Sequence, residues 1–489
     1  MHSVTTISPS MLAESSCARC STCGLTVRTR PRSLSLSLGG AAGARSVKEE
    51  LRDGSARGVS TLGQIHSYRS LLRPAEPAEQ DGVEQVAARE VAATRGPSRR
   101  EVLAGLACGD ELRRQGVLAT IHEASERAGG RCFSLGGAFP GPIDFPGQVA
   151  ERGGEFIDTA HKTMIGYARR FRLPLEDVAK RHADVLYHFF GRDVPEAEVV
   201  DGLRGFVDAM RDGLRAVGRP TADSFTPADA ALDRTSLGEY LDTRGAGPLI
   251  KAVIDVAYTI EYGLEINRQS CLLFIHADRR SKFTPFGTSD ERYHVIGGNQ
   301  QIPAALATGL GGQIRYGASL QRARKTAAGR LELTLQMGSS TVTGTHDAVV
   351  FAIPFSVLRD VELDPSLGLP GWKLFAIQNL AYGTNAKMML GFRGPMWLAL
   401  GSNSQSFSDL ENHQNTWETN PALASSDHAV RTHYSGGDRG ARRDSTDVPT
   451  EAARFLADLD KVYPGASVAV TRDAAGTCSP TWSTGHRIR

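Results

Sequence analysis

The chain has 489 residues, of which 40% are hydrophobic and 22% charged, with a net charge of +2. That near-balance gives no electrostatic case for a nucleic-acid or acidic partner, and no run of about 18 apolar residues marks a membrane-spanning helix. The seven cysteines (Cys17, Cys20, Cys23, Cys108, Cys132, Cys271 and Cys478) are odd in number and widely spaced, unlike a disulfide framework, and the Cys17-x-x-Cys20-x-x-Cys23 run has no fourth ligand nearby to complete a metal site.

Residues 1–95 lack periodicity. Ser, Arg, Ala and Gly dominate up to Arg45, and Glu14 is the single acid there. This is the composition of an organellar transit peptide or of an unstructured leader. Pro74 to Glu90 is acidic and proline-containing and reads as linker. Ser98-Arg-Arg-Glu-Val-Leu103 has the form of a twin-arginine export signal, or is simply a solvated basic stretch.

From Leu103 the spacing of Leu103, Leu106, Ala107, Asp110 and Leu112 predicts a helix, with Gly116 as its stop. Next comes an apolar run, Val117 to Ile121, closing on Glu123, and then Gly129-Gly130-Arg131. An acid at a strand end can accept both hydroxyls of a ribose, and a glycine pair before arginine lets backbone and guanidinium approach a diphosphate. This is the second half of a dinucleotide site. In the first half, Gly105 stands where the third glycine of G-x-G-x-x-G belongs, but the first two positions are Arg100 and Val102, and no apolar strand precedes them.

Further along, helices are expected over 163–171, 203–217 and 236–262. Two strand-like runs between Ile314 and Leu335 flank Ala327-Ala-Gly329, a hairpin signal. Val349 to Ile353 reads as a buried strand, and 386–392 and 416–434 as parts of an antiparallel sheet.

Five segments in order carry a specific resemblance: Glu123-Ala-Ser-Glu-Arg-Ala-Gly-Gly-Arg131, Glu151-Arg-Gly-Gly-Glu-Phe-Ile-Asp158, Arg292-Tyr-His-Val-Ile-Gly-Gly-Asn299, Asp347-Ala-Val-Val-Phe-Ala-Ile-Pro354 and Tyr382-Gly-Thr-Asn-Ala-Lys387 with Met388 to Phe392. Over residues 103–485 the chain resembles the flavin-dependent amine oxidases, the family of monoamine, polyamine and L-amino-acid oxidases. The resemblance implies an α/β fold: a Rossmann-like FAD-binding domain, here incomplete, interleaved with an α+β substrate domain. It divides the chain into a leader (1–95), an incomplete FAD-binding unit (96–160), a mainly helical substrate region (161–290), a return to the FAD domain (291–365) and a substrate-domain sheet with a shortened C-terminus (366–489).

Carried over residue by residue, the resemblance gives Glu123 to the ribose and Gly105, Gly130 and Arg131 to the diphosphate. It runs the backbone of Gly154 and Glu155 past the flavin and Leu320 past the adenine, and makes Lys387 the catalytic lysine that holds a water at flavin N5. The implied reaction takes a hydride equivalent from the α-carbon of a neutral amine. The imine hydrolyses to a carbonyl, and dioxygen becomes hydrogen peroxide. The amino-acid oxidases carry a Met-Arg type pair where this chain has Glu155-Phe156, which favours an amine without a carboxylate. Two departures stand out. The first strand and two glycines are missing, and the chain stops at Thr481 to Arg489, about where the family's flavin-facing Gly-rich segment and its aromatic residues begin. An inactive fragment unable to retain FAD is therefore the alternative. An FAD enzyme acting on carbon–carbon bonds is a third reading, against which Lys387 and Gly153-Gly-Glu-Phe156 argue.

Overall fold

The computed structural model describes residues 3–7, 103–139, 147–180, 183–221, 224–272, 274–275, 289–425, 427–472 and 481–484. The Cys17–Cys23 run, the basic Ser98–Leu103 stretch up to its last residue, and Arg100 and Val102 lie outside the described residues.

The helix Leu103–Arg114 lies against a four-stranded sheet whose order is Ala348–Ala352, Ser3–Ile7, Ala119–Glu123, Ile314–Arg315. Helix and sheet approach closely because position 109 has no side chain: a Cβ on Gly109 would sit 2.5 Å from Ile121 Cδ1. The pair is buried with Leu106, Ile157, Val295, Ile302 and Leu306, so segments near 103–160 and 291–310 share one core. Where the sequence offered no apolar strand directly before the helix, a segment of the expected leader supplies a strand of this sheet. Ser3–Ile7 pairs antiparallel with both Ala119–Glu123 and Ala348–Ala352. The physical reason is that both neighbours present rows of backbone donors and acceptors that an extended segment satisfies.

The expected hairpin forms as Ala318–Lys325 and Leu331–Met337, extended by Ser340–His346 and flanked by Glu362–Leu363. Its inner face buries Leu320, Ala323, Leu333 and Leu335 against Val349 and Ile353.

The expected single helix over 236–262 is two helices, Leu237–Thr243 and Pro248–Tyr262. Ser236 caps the first, its hydroxyl accepting from Glu239 N at 3.1 Å. Gly245 then turns with φ 71° and Pro248 starts the second helix, which Gly263 ends in the left-handed conformation. The apolar stripe runs through both, packing Tyr240, Leu241, Ile254 and Tyr258 on Leu203, Phe206 and Met210 of the Glu196–Ala216 helix.

The largest sheet has seven strands, in the order Thr481–Thr484, Asn385–Phe392, Ala429–Gly436, Asn415–Glu418, Ser402–Ser408, Asp184–Phe189, Arg192–Val194. Register fixes its two faces. Lys387 stands opposite Tyr434, and Trp417 opposite Thr432. The alternate residues Met388, Leu390 and His433 turn the other way, towards Phe455, Leu456 and Leu459 of the Val448–Val462 helix. On that rear face Arg431 is wholly buried. Its guanidinium lies 3.8 Å from the Tyr463 ring centre and 4.6 Å from that of Trp397, donating to Ser404 O at 2.6 Å and Thr416 Oγ1 at 3.1 Å. Among the described residues no helix is long and apolar enough to cross a membrane.

Candidate functional site

Glu123 is the last residue of its strand and has no accessible surface. Its Oε1 accepts from Ser125 N and Ser125 Oγ, both at 2.6 Å, while Oε2 has no hydrogen-bond partner among the described residues. Burial outweighs the two bonds and pushes the carboxyl up to about 7. An unmatched buried acceptor costs on the order of 1–3 kcal/mol, so Oε2 is a group that a hydroxyl donor would satisfy.

The turn that follows is built on two glycines in the left-handed region, Gly129 at φ 108° and Gly130 at φ 52°. Arg127 braces it, donating to the carbonyls of Ala128 at 3.1 Å, of Cys132 at 3.3 Å and of Gly130, with its guanidinium 4.2 Å from the Phe133 ring centre. The Arg131 side chain is exposed. Desolvation by the surrounding protein lowers its pKa, while the Tyr382, Cys132 and Tyr434 side chains raise it.

The second glycine motif joins the first through the backbone of Arg131. Gly154 N donates to Arg131 O at 3.0 Å, and a Cβ on Gly153 would collide with the same oxygen. Gly154 is exposed, with nothing within 4 Å of where its Cβ would stand. Beneath this loop, buried Glu151 accepts from Ser134 Oγ at 3.0 Å and from Asn299 N at 2.7 Å. Burial still pushes its carboxyl up to about 7. Asn299 Nδ2 donates to Gly154 O at 3.2 Å and Glu155 O at 2.5 Å, and its Oδ1 accepts from Val295 N at 2.8 Å. Gly298, at φ 110°, makes room for this, since a Cβ there would press on Ser134 Oγ at 2.6 Å.

Lys387 reaches this loop from the seven-stranded sheet. Its Nζ donates to Glu155 Oε2 at 2.6 Å, Gly153 O at 3.0 Å and Glu151 O at 3.4 Å. Trp417 Nε1 donates to the other oxygen of Glu155 at 2.7 Å. The Trp417 ring meets Tyr434 edge-on at 5.6 Å and Phe156 at 5.6 Å, so aromatic faces stand beside the ion pair. The surroundings are acidic. Glu291 is pushed up to about 8 by burial, then by Glu261, Asp158 and Glu155. Burial and the neighbouring Asp158 raise Glu261, and burial with Glu261 and Glu291 raises Tyr434.

Of the residues singled out in the sequence, Gly130, Arg131, Gly154, Glu155 and Lys387 thus fall along one run of contacts that starts at the turn following Glu123. Gly105 lies buried in the first turn of its helix, but the closest approach to the sheet belongs to Gly109. Leu320 sits on the hairpin strand adjoining the four-stranded sheet, with its side chain in the core. The sequence reading missed Glu151, Ser134, Asn299, Trp417 and Tyr434. A lone acid ending the strand Val149-Ala-Glu151 and the asparagine directly after Gly297-Gly298 were the available signals for two of them.

A family model described as flavin containing amine oxidoreductase matches residues 103–487. A Bacillus subtilis protein named as an L-amino-acid oxidase, YobN, is 23% identical over 387 residues, 74% of this chain and 77% of its own length. A Mycobacterium tuberculosis protein named as a flavin-containing monoamine oxidase, AofH, is 27% identical over 325 residues, 63% of this chain and 66% of its own length. A solved structure of a putrescine oxidase variant superposes with a TM-score of 0.62 at 18% identity, covering 78% of this chain and 82% of that one, a likeness of fold.

Proposed function

The chain belongs to the flavin-containing amine oxidoreductases, and on that premise we propose that it oxidises a primary or secondary amine without a carboxylate to an imine, using dioxygen. FAD is the family's cofactor, and the residues suit it. Glu123 offers a buried acceptor oxygen without a partner to a ribose hydroxyl. Gly129 and Gly130 keep side chains away from a diphosphate, and Arg131 supplies charge for it. The FAD-holding part is assigned to 96–160 with 291–365, and the substrate-holding part to 161–290 with 366–489.

When bound, FAD supplies the two-electron oxidation of the carbon–nitrogen bond and passes the electrons to dioxygen as hydrogen peroxide. The chain's own residues do the rest. Trp417 and Tyr434 provide apolar faces for the substrate's carbon skeleton. Lys387 is the catalytic lysine, a donor held at the junction of the glycine loop and the substrate sheet. Glu155 is paired with Lys387, and Glu261 and Glu291, whose carboxyls are raised toward the neutral form, offer hydrogen-bonding oxygens to an amine and no countercharge to a substrate carboxylate, which favours amines over amino acids. Water hydrolyses the released imine to a carbonyl and ammonia or a smaller amine.

The observation that carries this reading is the continuous run of contacts from the turn after Glu123, through Arg131 and Gly153, to Lys387. The second oxygen of Glu123, without a hydrogen-bond partner among the described residues, supports a ligand-holding site over an inactive remnant. The test is the visible spectrum of the purified chain after FAD addition and desalting, followed by an amine panel with peroxide detection. Retained flavin absorbance and amine-dependent peroxide are expected. A colourless chain would overturn the reading.

A further inference from the structure

An ammonium has three N–H bonds to give, and Lys387 has three acceptors around it. Two are backbone carbonyls, Gly153 O and Glu151 O, whose positions the glycine loop fixes. The third is a carboxylate, Glu155, which Trp417 Nε1 holds from its far oxygen. The Lys387 and Glu155 side chains are 11% and 2% exposed, so the pair is almost out of water. A cation set among carbonyl dipoles at such depth needs a countercharge to remain a cation.

We propose that Glu155 is the positioning residue of this site: with Trp417 setting its carboxylate, it holds Lys387 as an ammonium directed at the Gly153 and Glu151 backbone. The other titratable groups around Lys387 do not replace it. Glu151 ends the Val149–Glu151 strand, Glu291 precedes the Tyr293–Val295 strand, and burial favours the neutral form of both carboxyls. Tyr434 faces Lys387 across the sheet with its hydroxyl pushed up by burial, and Arg131 beside it is a cation.

The catalytic consequence rests on the amine-oxidase reading, whereas the pair can be tested in the cofactor-free chain. The measurement is the rate at which sulfo-N-hydroxysuccinimide acetate, which reacts only with a neutral amine, labels Lys387. It is read by mass spectrometry at pH 8 with exposed Lys162 as the internal reference. E155Q removes the charge and keeps the shape, and the Lys387 rate should rise at least tenfold. W417F removes one bond to the carboxylate and keeps the charge, and the rate should rise less than threefold. A rise below threefold in E155Q, or an equal rise in both variants, overturns the proposal. Should E155Q not fold, the wild-type chain decides: Lys387 should be labelled at least tenfold more slowly than Lys162, and equal labelling overturns the proposal. In the FAD-loaded chain, the pH profile of flavin reoxidation should move to lower pH in E155Q, and an unmoved profile overturns the catalytic role. Failure of the wild-type chain to hold FAD would instead count against the amine-oxidase reading, and leaves the labelling result to decide the pair.

Discussion

The carbonyl oxygen of Arg131 occupies the space that a side chain at Gly153 would need. The two glycine-containing turns of the site are therefore packed backbone to backbone. G153A should displace one turn from the other, with a stability loss of about 1–3 kcal/mol, the usual cost of forced overpacking. G154A meets open space and should leave the stability of the cofactor-free chain within about 0.5 kcal/mol. Urea titrations of the two variants check the contrast, and equal losses would contradict this packing.

Glu123 gives a pH dependence with a definite sign. Its carboxyl is raised in the folded chain, from 4.5 to about 7. The native state therefore binds the proton more tightly than the unfolded state. Its contribution to stability is full below pH 4.5 and is lost as pH rises through about 7. E123Q should remove this loss, making the cofactor-free variant more stable than wild type at pH 8 by on the order of 1–3 kcal/mol, while the two converge near pH 4.5. The same variant should bind FAD at least about tenfold more weakly, since Glu123 is the proposed ribose acceptor and a charge-assisted bond becomes a neutral one. Thermal melts across pH and flavin equilibrium dialysis read the two effects separately.

Arg431 tests the rear of the seven-stranded sheet. Its planar guanidinium is stacked between Tyr463 and Trp397 and donates from two nitrogens. R431K keeps the charge but loses the stacking and the fork of donors, and should destabilise by about 2–4 kcal/mol. If chemical denaturation shows a loss under about 0.5 kcal/mol, the contacts described for Arg431 do not hold the sheet.

The parts of the site legible in the sequence are those whose chemistry is local. Gly129 and Gly130 leave a visible trace because only glycine enters the left-handed region freely, and Glu123 because strand and turn meet there within a few residues. The hairpin around Gly329 was legible for the same reason. The helix expected over 236–262 was misjudged because the apolar stripe continues across a break set by Gly245, Gly247 and Pro248. Periodicity followed the stripe, and the chain followed the turn residues. Trp417 and Tyr434 could not be read at all. Their place beside Lys387 depends on which strands pair and in what register, as does the contact with Glu155, 232 positions away.

The parallel pairing of Asp184–Phe189 with Ser402–Ser408 sets a timetable for the nascent chain. The earlier strand leaves the ribosome more than 200 residues before its partner exists, a wait of about 10–40 s at usual elongation rates. Through that interval its apolar residues, Leu186, Tyr187 and Phe189 among them, have only the Arg192–Val194 hairpin and the following helices for cover. Long-range pairing of this kind is entropically costly to close, so slow joining of these two strands is the expected outcome in a refolding experiment. A holdase chaperone that shields 184–189 has its period of greatest value before residue 402 emerges.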